Sequence, residues 1–571
     1  MRRKKACSSR NLPLSRVRRC NDWILMRNSH FFEIAAKTAL FVVFLPASTS
    51  LAVEQAPAVW PFESVHEYAA TNEIDKIVSA SLRKEKMIPA RRCSDQIFIR
   101  RAYLDITGTL PEPGDIRKFL RDKRADKRAK MIDSLIERKV FAEYWSLKWC
   151  DLLRVKAEFP INLWPNAVQA YHRWIRDAIE TNMPYDKFAR EQLTSSGSNF
   201  RVPQVNFYRA IQGQEPSSIA NAVALTFMGV RLDKLPKKKQ DGMESLFSRV
   251  GYKTTAEWKE EVIFLDPAEA TSFKAVLPDG SSIHVPQGKD PRVVFADWLI
   301  KPDNPWFAKN IVNRIWSWLF GRGLIDEPDD IRPDNPAVHP EVLAYLEKEL
   351  VKSNYDLRHI YRLILNSNAY QQSPIPQSDN PKAEIMFACY PVRQLDAEVL
   401  IDALCKITGT KETYSSPIPE PFTFVPQEHR SIDLADGSIT SQFLEMFGRP
   451  TRDTGLESER KNNPTDAQRL HLLNSTHIQN KIVRNKILKN LPKPRKKKNK
   501  KLNKKQRQLQ IKKQKRMPLD MLYLRILSRL PTEAERTAAM EYLSTSGLRR
   551  GDATNDLVWA LINSKEFLYR H

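Results

Sequence analysis

Residues 304–372 read NPWFAKNIVNRIWSWLFGRGLIDEPDDIRPDNPAVHPEVLAYLEKELVKSNYDLRHIYRLILNSNAYQQ, and the rest of the chain is organised around them. Apolar residues recur at helical spacing over 311–320, which predicts a buried helix. Gly321 follows and is predicted to end the helix, because glycine readily takes the left-handed conformation of a helix terminus. Pro340 is predicted to open a second helix and Asp356 to cap a third.

The proline-rich, acidic loop 326–340 carries the candidate site of this stretch. Arginines beside a stiff carboxylate loop and a wall of tryptophan predict a pocket for a polar ligand. The alternative is that the arginines pair with the two adjacent aspartates and hold the loop against the helices. The candidate binding residues are Arg314, Trp316, Arg322, Asp329 and Asp330. Catalytic residues are not assigned, because the chain contains no motif of a known mechanism.

Most of the surplus positive charge lies in two segments. The chain has a formal net charge of +25, of which residues 1–52 contribute +8 and residues 481–516 contribute +18. The remainder is therefore close to neutral, at −1. A folded body without a basic footprint argues against nucleic acid as the partner.

Residues 1–52 are predicted to be a signal peptide. A basic run precedes the apolar stretch 38–45, and Ser-Leu-Ala at 50–52 fits a cleavage site that would leave a mature chain from Val53. The apolar run is shorter than the ~20 residues that a membrane span needs. We therefore expect an extracytoplasmic protein, periplasmic or secreted. An uncleaved signal that anchors the chain to the membrane is the alternative, and Met26 is an alternative start.

Residues 493–516, KPRKKKNKKLNKKQRQLQIKKQKR, form a low-complexity basic insert. Self-repulsion and the shortage of apolar residues predict a solvated, disordered segment. In an exported protein the expected partner is an anionic surface or polysaccharide, bound less tightly as salt increases. The alternative is a solubilising insertion without a partner. The predicted polyanion-binding residues are Arg495, Lys496, Lys497, Lys498, Lys500, Lys501, Lys504 and Lys505.

The predicted fold is mainly α, with two helical lobes and a small β-hairpin insert between them. The predicted segments after the signal peptide are a first helical domain over 72–250, a β insert over 253–290, a second helical domain over 291–480, the polybasic insert over 481–518 and a C-terminal helical part of the second domain over 519–571. Asp279-Gly280 is typical of a tight hairpin turn. Thr465 and Thr532 begin sequences with capping-box spacing.

Cysteine and histidine are scattered and predict no metal site. Cys93, Cys150, Cys389 and Cys405 remain after removal of the signal peptide, without metal-ligand spacing. We expect neither a metal nor another cofactor. His172 borders the apolar face of a predicted helix and is interpreted as a surface histidine.

Several longer motifs support a family resemblance. The motifs are LDITGTLPEPGDIRKFL, MPYDKFAREQL and FMGVRL in the first half, and IVNRIWSWLFGRGLIDEPDDIRPDNPAVHPEVLAYL, RLILNSNAYQQS, PVRQLDAEVLIDAL and FLEMFGRPTR in the second. They resemble a planctomycete-type exported two-domain family of unknown function, whose genes often carry an additional cytochrome-like domain. The resemblance implies an extracytoplasmic, largely helical protein and supplies no established activity.

Two departures from the family pattern concern cysteine. Many relatives carry a Cys-x-x-Cys-His-like element directly after the segment that matches FMGVR, where such a motif would attach a c-type haem. Here residues 232–247 read LDKLPKKKQDGMESLF, without cysteine or histidine. Relatives often have cysteines after the FGRP run as well, and residues 451–460 have none. Either a redox function has been lost or the cysteines were never essential to the shared one.

Three functions remain open at this point. The first is a non-catalytic binding or scaffold protein of the cell envelope with a polyanion-binding insert. The second is a hydrolase or lyase that acts on an acidic or sulfated polysaccharide through Glu327, Asp329 or Asp330. The third, a redox partner of an exported cytochrome, is disfavoured by the missing cysteines. The proline-rich segment 410–435 is a candidate ligand lid or partner contact.

Overall fold

A computed structural model describes residues 59–65, 70–158, 163–267, 271–485 and 517–571. The predicted signal peptide and the predicted polyanion-binding residues lie outside the described residues. The described residues belong to one compact unit.

Helices dominate the described residues, which confirms the mainly α class. Among these helices, none is long and apolar enough to cross a membrane. The first half contains α1 Glu73–Lys84, α2 Asp95–Thr107, α3 Pro113–Arg121, α4 Lys127–Ile136, α5 Lys139–Leu152, α6 Pro165–Glu180, α7 Tyr185–Thr194, α8 Asn206–Arg209, α9 Pro216–Val223 and α10 Lys237–Ser245. The second half contains α11 Pro291–Leu299, α12 Phe307–Phe320, α13 Pro340–Lys352, α14 Leu357–Leu365, α15 Asn368–Gln371, α16 Ala397–Thr408, α17 Gln442–Met446, α18 Asp466–Asn474, α19 Thr476–Val483, α20 517–526, α21 Glu533–Thr545, α22 Arg550–Ile562 and α23 Lys565–Leu568.

Short strands form small antiparallel sheets. The strands are β1 Gly197–Ser198, β2 Val250–Thr254, β3 Glu261–Leu265, β4 Phe273–Val276, β5 Ser282–Val285, β6 Arg393–Gln394 and β7 Tyr569–Arg570. The first sheet has the order β1-β3-β2, while β4 pairs with β5 and β6 pairs with β7. Tyr252 lies opposite Ile263, and Phe273 lies opposite Val285. Gly280 has φ +90° in the β4–β5 turn, a conformation that glycine adopts without steric cost.

The central stretch folds as its sequence predicts. Helix α12 ends at Gly321, whose φ of +81° is the left-handed conformation expected at a helix C-terminus. A side chain at this position would also lie 2.7 Å from Cδ of Arg393. Pro340 is the first residue of α13, and the Asp356 side chain accepts a hydrogen bond from the backbone N–H of His359 to cap α14.

One hydrophobic cluster extends from Ile74 to Phe567 and includes residues of both predicted helical domains. At its centre the ring centroids of Trp145 and Trp318 lie 5.6 Å apart, and those of Trp145 and Tyr361 lie 4.5 Å apart. Such aromatic pairs contribute about 0.5–1.5 kcal/mol beyond the burial of their area. Contacts of this kind pack the first half of the chain directly against the second.

Candidate functional site

Two of the predicted binding residues meet as a buried ion pair. Nη2 of Arg314 lies 2.7 Å from Oδ1 of Asp329, and both side chains are 1% exposed. The same guanidinium donates to the carbonyl of Leu225 at 3.3 Å, while Oδ2 of Asp329 accepts from the backbone N–H of Glu457 at 2.6 Å. The pair therefore connects α12 to the acidic loop and to the segment around Glu457. This is the alternative in which the arginine holds the loop against the helices.

Trp316 lies in the core rather than on a pocket wall. The side chain is fully buried, and its ring packs 4.4 Å from Phe320 and 5.3 Å from Phe387, measured between centroids. This environment makes Trp316 a packing residue in the described conformation.

Arg322 and Asp330 lie in separate, partly exposed ion pairs. Arg322 is bonded to Asp326 at 3.1 Å, and Asp330 is bonded to Arg332 at 3.1 Å. Of the five predicted binding residues, the structure therefore brings together only Arg314 and Asp329.

A larger charged network, which sequence reasoning did not find, is buried where α2, α5 and α16 meet residues 449–460 and strand β7. All of its members except the partly buried Arg393 and Asp151 are almost completely buried. The carboxylates are Asp105, Asp151, Asp396 and Glu398, and the cations are Lys148, Arg393, Arg449, Arg452, Arg460 and Arg570.

Arg460 links two carboxylates of this network. Its Nη2 donates to Oδ2 of Asp151 at 2.6 Å, and its Nη1 donates to Oε2 of Glu398 at 2.8 Å. Oδ1 of Asp151 accepts from Nε of Arg452 at 2.9 Å, so that this carboxylate is shared by two guanidinium groups. The segment after the FGRP run is thereby fixed to α5 and α16.

Arg570 joins the other two carboxylates. Its guanidinium lies 3.1 Å from Asp396 and 3.4 Å from Asp105. Nζ of Lys148 also lies 3.1 Å from Oδ2 of Asp396, and Asp105 accepts a hydrogen bond from the hydroxyl group of Tyr370 at 2.7 Å. The last strand of the fold is therefore bonded to helices of both halves.

The cations keep two of the network carboxylates ionised. Burial disfavours the charged form of Asp396, but Lys148, Arg570 and Arg460 outweigh it and hold its pKa well below the usual range. For Asp151, burial is outweighed in the same way by Arg460 and Arg452, and its pKa is lowered. An ionised carboxylate has no proton to give, so neither group can act as a general acid at neutral pH.

A narrow cleft opens onto one edge of the network. Its volume is about 280 Å³, including the space open to solvent, and its lining includes Lys148, Asp151, Arg460 and Trp318. Nε1 of Trp318 donates to Oε2 of Glu457 at 3.0 Å across this region. The charged groups that line the cleft are already paired, Asp151 with Arg460 and Lys148 with Asp396.

A second feature lies on the surface and is formed by exposed aromatic residues. Trp258 is 68% exposed, Phe422 52% and Phe424 74%. The rings of Phe422 and Trp164 are 5.8 Å apart, and Nζ of Lys259 lies 5.8 Å from the ring of Trp164 and 5.4 Å from that of Trp258. We call these five residues the aromatic surface. The segment 410–435, a predicted partner contact, supplies its two phenylalanines.

Comparison with known families matches two parts of the chain. The family described as "PSCyt2: Protein of unknown function (DUF1549)" matches residues 73–234, and "PSD1: Protein of unknown function (DUF1553)" matches residues 291–543. The chain belongs to the planctomycete-type two-domain family. No curated protein and no solved structure matches it. In this family member the charged network joins the two matched ranges, with Asp151 from the first and Arg452 from the second.

The cysteine element of other family members has no counterpart in this chain. Leu232 is buried, and the following helix α10 presents no thiol or imidazole at the position where a c-type haem would need both. Residues 451–460 take part in the charged network instead. In the described part of the chain, no group of three histidine, cysteine or acidic residues is placed to hold a metal ion. The residues present therefore do not fit a covalently attached haem.

Proposed function

We propose that this chain is a non-catalytic binding or scaffold protein of the cell envelope, which holds anionic surfaces through its basic insert. The supporting observation is that the candidate acid–base groups are bonded to cations. A glycoside hydrolase needs one protonated carboxyl group and a second carboxylate that faces the scissile bond.

The acidic loop offers no such pair. Its three candidate carboxylates are each bonded to an arginine: Glu327 to Arg231 at 3.2 Å, Asp329 to Arg314 at 2.7 Å and Asp330 to Arg332 at 3.1 Å. The other two carboxylates of the loop, Asp326 and Asp334, are bonded to Arg322 and Arg332. The buried network carboxylates are likewise shared among guanidinium and ammonium groups. This arrangement favours a rigid framework over a hydrolytic site.

The insert provides the means of attachment. Residues 481–516 contribute +18 to the net charge, while the body of the chain is almost neutral. Near an anionic membrane each basic residue contributes about 1 kcal/mol, so that partial engagement is sufficient to hold the protein at the surface. The signal-like pattern of residues 1–52 supports the envelope as the compartment of this attachment.

The attachment is tested with three versions of Val53–His571. These are the parent, a version lacking 493–516, and a matched version in which the order of residues 493–516 is scrambled at unchanged charge. We expect the parent and the scrambled version to sediment with anionic vesicles and to bind acidic polysaccharide, less tightly as salt increases. The deletion should abolish this salt-dependent part. Unchanged binding by the deletion would contradict the proposal, and release of reducing ends from the polysaccharide would indicate an enzyme.

The compartment is tested separately by fractionation of cells that produce the tagged full chain. We expect the protein outside the cytoplasm, with its N-terminus at Val53. Uncut protein in the cytosol would contradict an envelope role.

A further inference from the structure

The aromatic surface brings large apolar side chains into solvent without an evident structural reason. Trp258 and Phe424 are each more than two thirds exposed. Such groups stabilise the fold little in this position, and contiguous apolar exposure commonly marks an interaction site. Trp164, which is 9% exposed, packs beneath the ring of Phe422 at 5.8 Å between centroids.

We propose that the aromatic surface binds an acidic polysaccharide chain. The rings of Trp258, Phe422 and Phe424 would stack on the apolar C–H faces of sugar rings, and Lys259 would contact a carboxylate or sulfate group. This inference rests on the proposed binding function. It adds a second binding surface, far in sequence from residues 493–516, and names the class of ligand that this surface binds.

The members of the aromatic surface come from three separate segments. Four of them form a series of neighbours, and Phe424 lies two positions after the last of these in the sequence. Trp164 lies at the start of α6, Trp258 and Lys259 lie between β2 and β3, and the phenylalanines lie between α16 and α17. The series of neighbours runs from Trp258 through Lys259 and Trp164 to Phe422, with each step between 5.4 and 5.8 Å. The exposed rings of Trp258 and Phe422 are thereby connected through Lys259 and the buried Trp164.

The composition of the aromatic surface favours a glycan over a protein partner. A protein interface typically has an apolar core from which charged residues are depleted. Here a lysine lies between two indole rings, within the range of a cation–π interaction with both. An acidic sugar has an apolar C–H face and, beside it, hydroxyl or acidic groups. The apolar face fits an indole ring, and the acidic group fits the lysine next to that ring.

The backbone holds the aromatic surface in place before a ligand arrives. Lys259 has φ +60°, a left-handed conformation that non-glycine residues adopt infrequently and that accumulates at functional positions. Phe422 lies in a turn in which its backbone N–H donates to the carbonyl of Pro419 at 3.1 Å. Preorganisation of this kind lowers the entropic cost of binding.

The test compares polysaccharides that share one backbone: uncharged dextran, carboxymethyl-dextran and dextran sulfate. Affinity electrophoresis is run on the chain lacking 493–516, so that the basic insert does not contribute to binding. We expect the double variant Trp258→Ala/Phe424→Ala to bind the two charged dextrans about tenfold or more weakly, as loss of aromatic anchors usually does. Lys259→Gln should weaken binding of the charged dextrans and leave uncharged dextran unchanged.

Trp60→Ala is the matched control, because Trp60 is 66% exposed and is not a member of the aromatic surface. This variant should bind all three dextrans as the parent does. The inference is overturned if the double variant binds like the parent, or if Trp60→Ala loses affinity equally. It is also overturned if the double variant loses affinity only for an apolar peptide, which would identify a protein-docking face. None of these results bears on the salt-dependent binding by residues 493–516. The proposed function is therefore tested separately from this inference.

Discussion

At the scale of single residues, Arg314 and Arg322 have the same predicted role but very different surroundings. Both precede the acidic loop, and sequence alone assigns both to a ligand pocket or to ion pairs. The structure buries Arg314 with Asp329 and leaves Arg322 about one third exposed beside Asp326. The sequence identifies the residue type and its approximate position, but burial depends on elements that pack from elsewhere in the chain.

Loss of Arg314 should be far more damaging than loss of Arg322. Arg314→Met leaves the Asp329 carboxylate buried without its cation, and we expect the free energy of unfolding to fall by about 3–5 kcal/mol. Arg322→Met removes a solvent-screened pair and should cost about 1 kcal/mol or less. Urea titration of both variants measures the difference, and equal losses would mean that the Arg314 pair is not buried in solution.

His172 illustrates a prediction that is wrong at this scale. The sequence indicated a surface histidine, but the side chain is only 6% exposed, and burial together with the nearby Arg452 lowers its pKa to about 3. The apolar face of α6 is wider than its periodicity suggested, because the segment around Arg452 covers it.

Stability should therefore depend on pH through His172. The unfolded chain takes up this proton near pH ~6.5, whereas the folded protein takes it up only near pH 3, so the contribution of His172 to stability is lost as pH falls through this window. The slope is at most ~1.4 kcal/mol per pH unit. Unfolding of the parent and of His172→Gln at several pH values should give curves that diverge below pH ~6.5. Parallel curves would contradict the burial of a neutral imidazole.

At the scale of elements, helix starts were the most predictable features. Both capping boxes expected from the sequence are present, at Thr465 for α18 and Thr532 for α21. In the first, the Thr465 hydroxyl accepts from the Gln468 N–H at 3.2 Å and the Gln468 side chain accepts from the Thr465 N–H at 3.1 Å. Such contacts join residues three positions apart, so the sequence displays them directly.

Thr465→Ala should lower the free energy of unfolding by about 1 kcal/mol, because one N-terminal N–H of α18 loses its acceptor. Thr465→Ser keeps the oxygen and should remain within a few tenths of the parent. Chemical denaturation of the two variants side by side tests this. A loss of the same size in the serine variant would point to the methyl group rather than to the cap.

The charged network, in contrast, could not be predicted from the sequence. Asp151 and Arg452 are separated by 301 positions, and Asp151 is also bonded to Arg460. Neither the spacing nor the composition around these residues distinguishes them from ordinary surface charges. Only the packing of α5 against the later half of the chain turns them into one site.

At the scale of the whole molecule, the two matched family ranges share one core and one charged network. If segment 72–250 is produced alone, Lys148 lacks its partner Asp396. If segment 291–571 is produced alone, Arg460 lacks its partner Asp151. Unpaired buried charge is costly, and we expect neither part to fold independently.

Calorimetry of Val53–His571 should accordingly give one unfolding transition, with a calorimetric enthalpy close to the van't Hoff enthalpy. Two separated transitions, or a folded 291–571 segment, would contradict the shared core.

Arg570 also imposes an order of events during synthesis. It bonds to Tyr144, a partner made 426 positions earlier, and to Asp105, which is made earlier still. At ~5–20 residues per second the ribosome needs roughly 20–85 s to cover that distance. Until Arg393 and Arg452 have been made, the carboxylates of Asp105 and Asp151 lack the arginines with which they are paired in the folded protein. A chaperone that shields them would therefore act on the unfinished chain rather than on the completed protein.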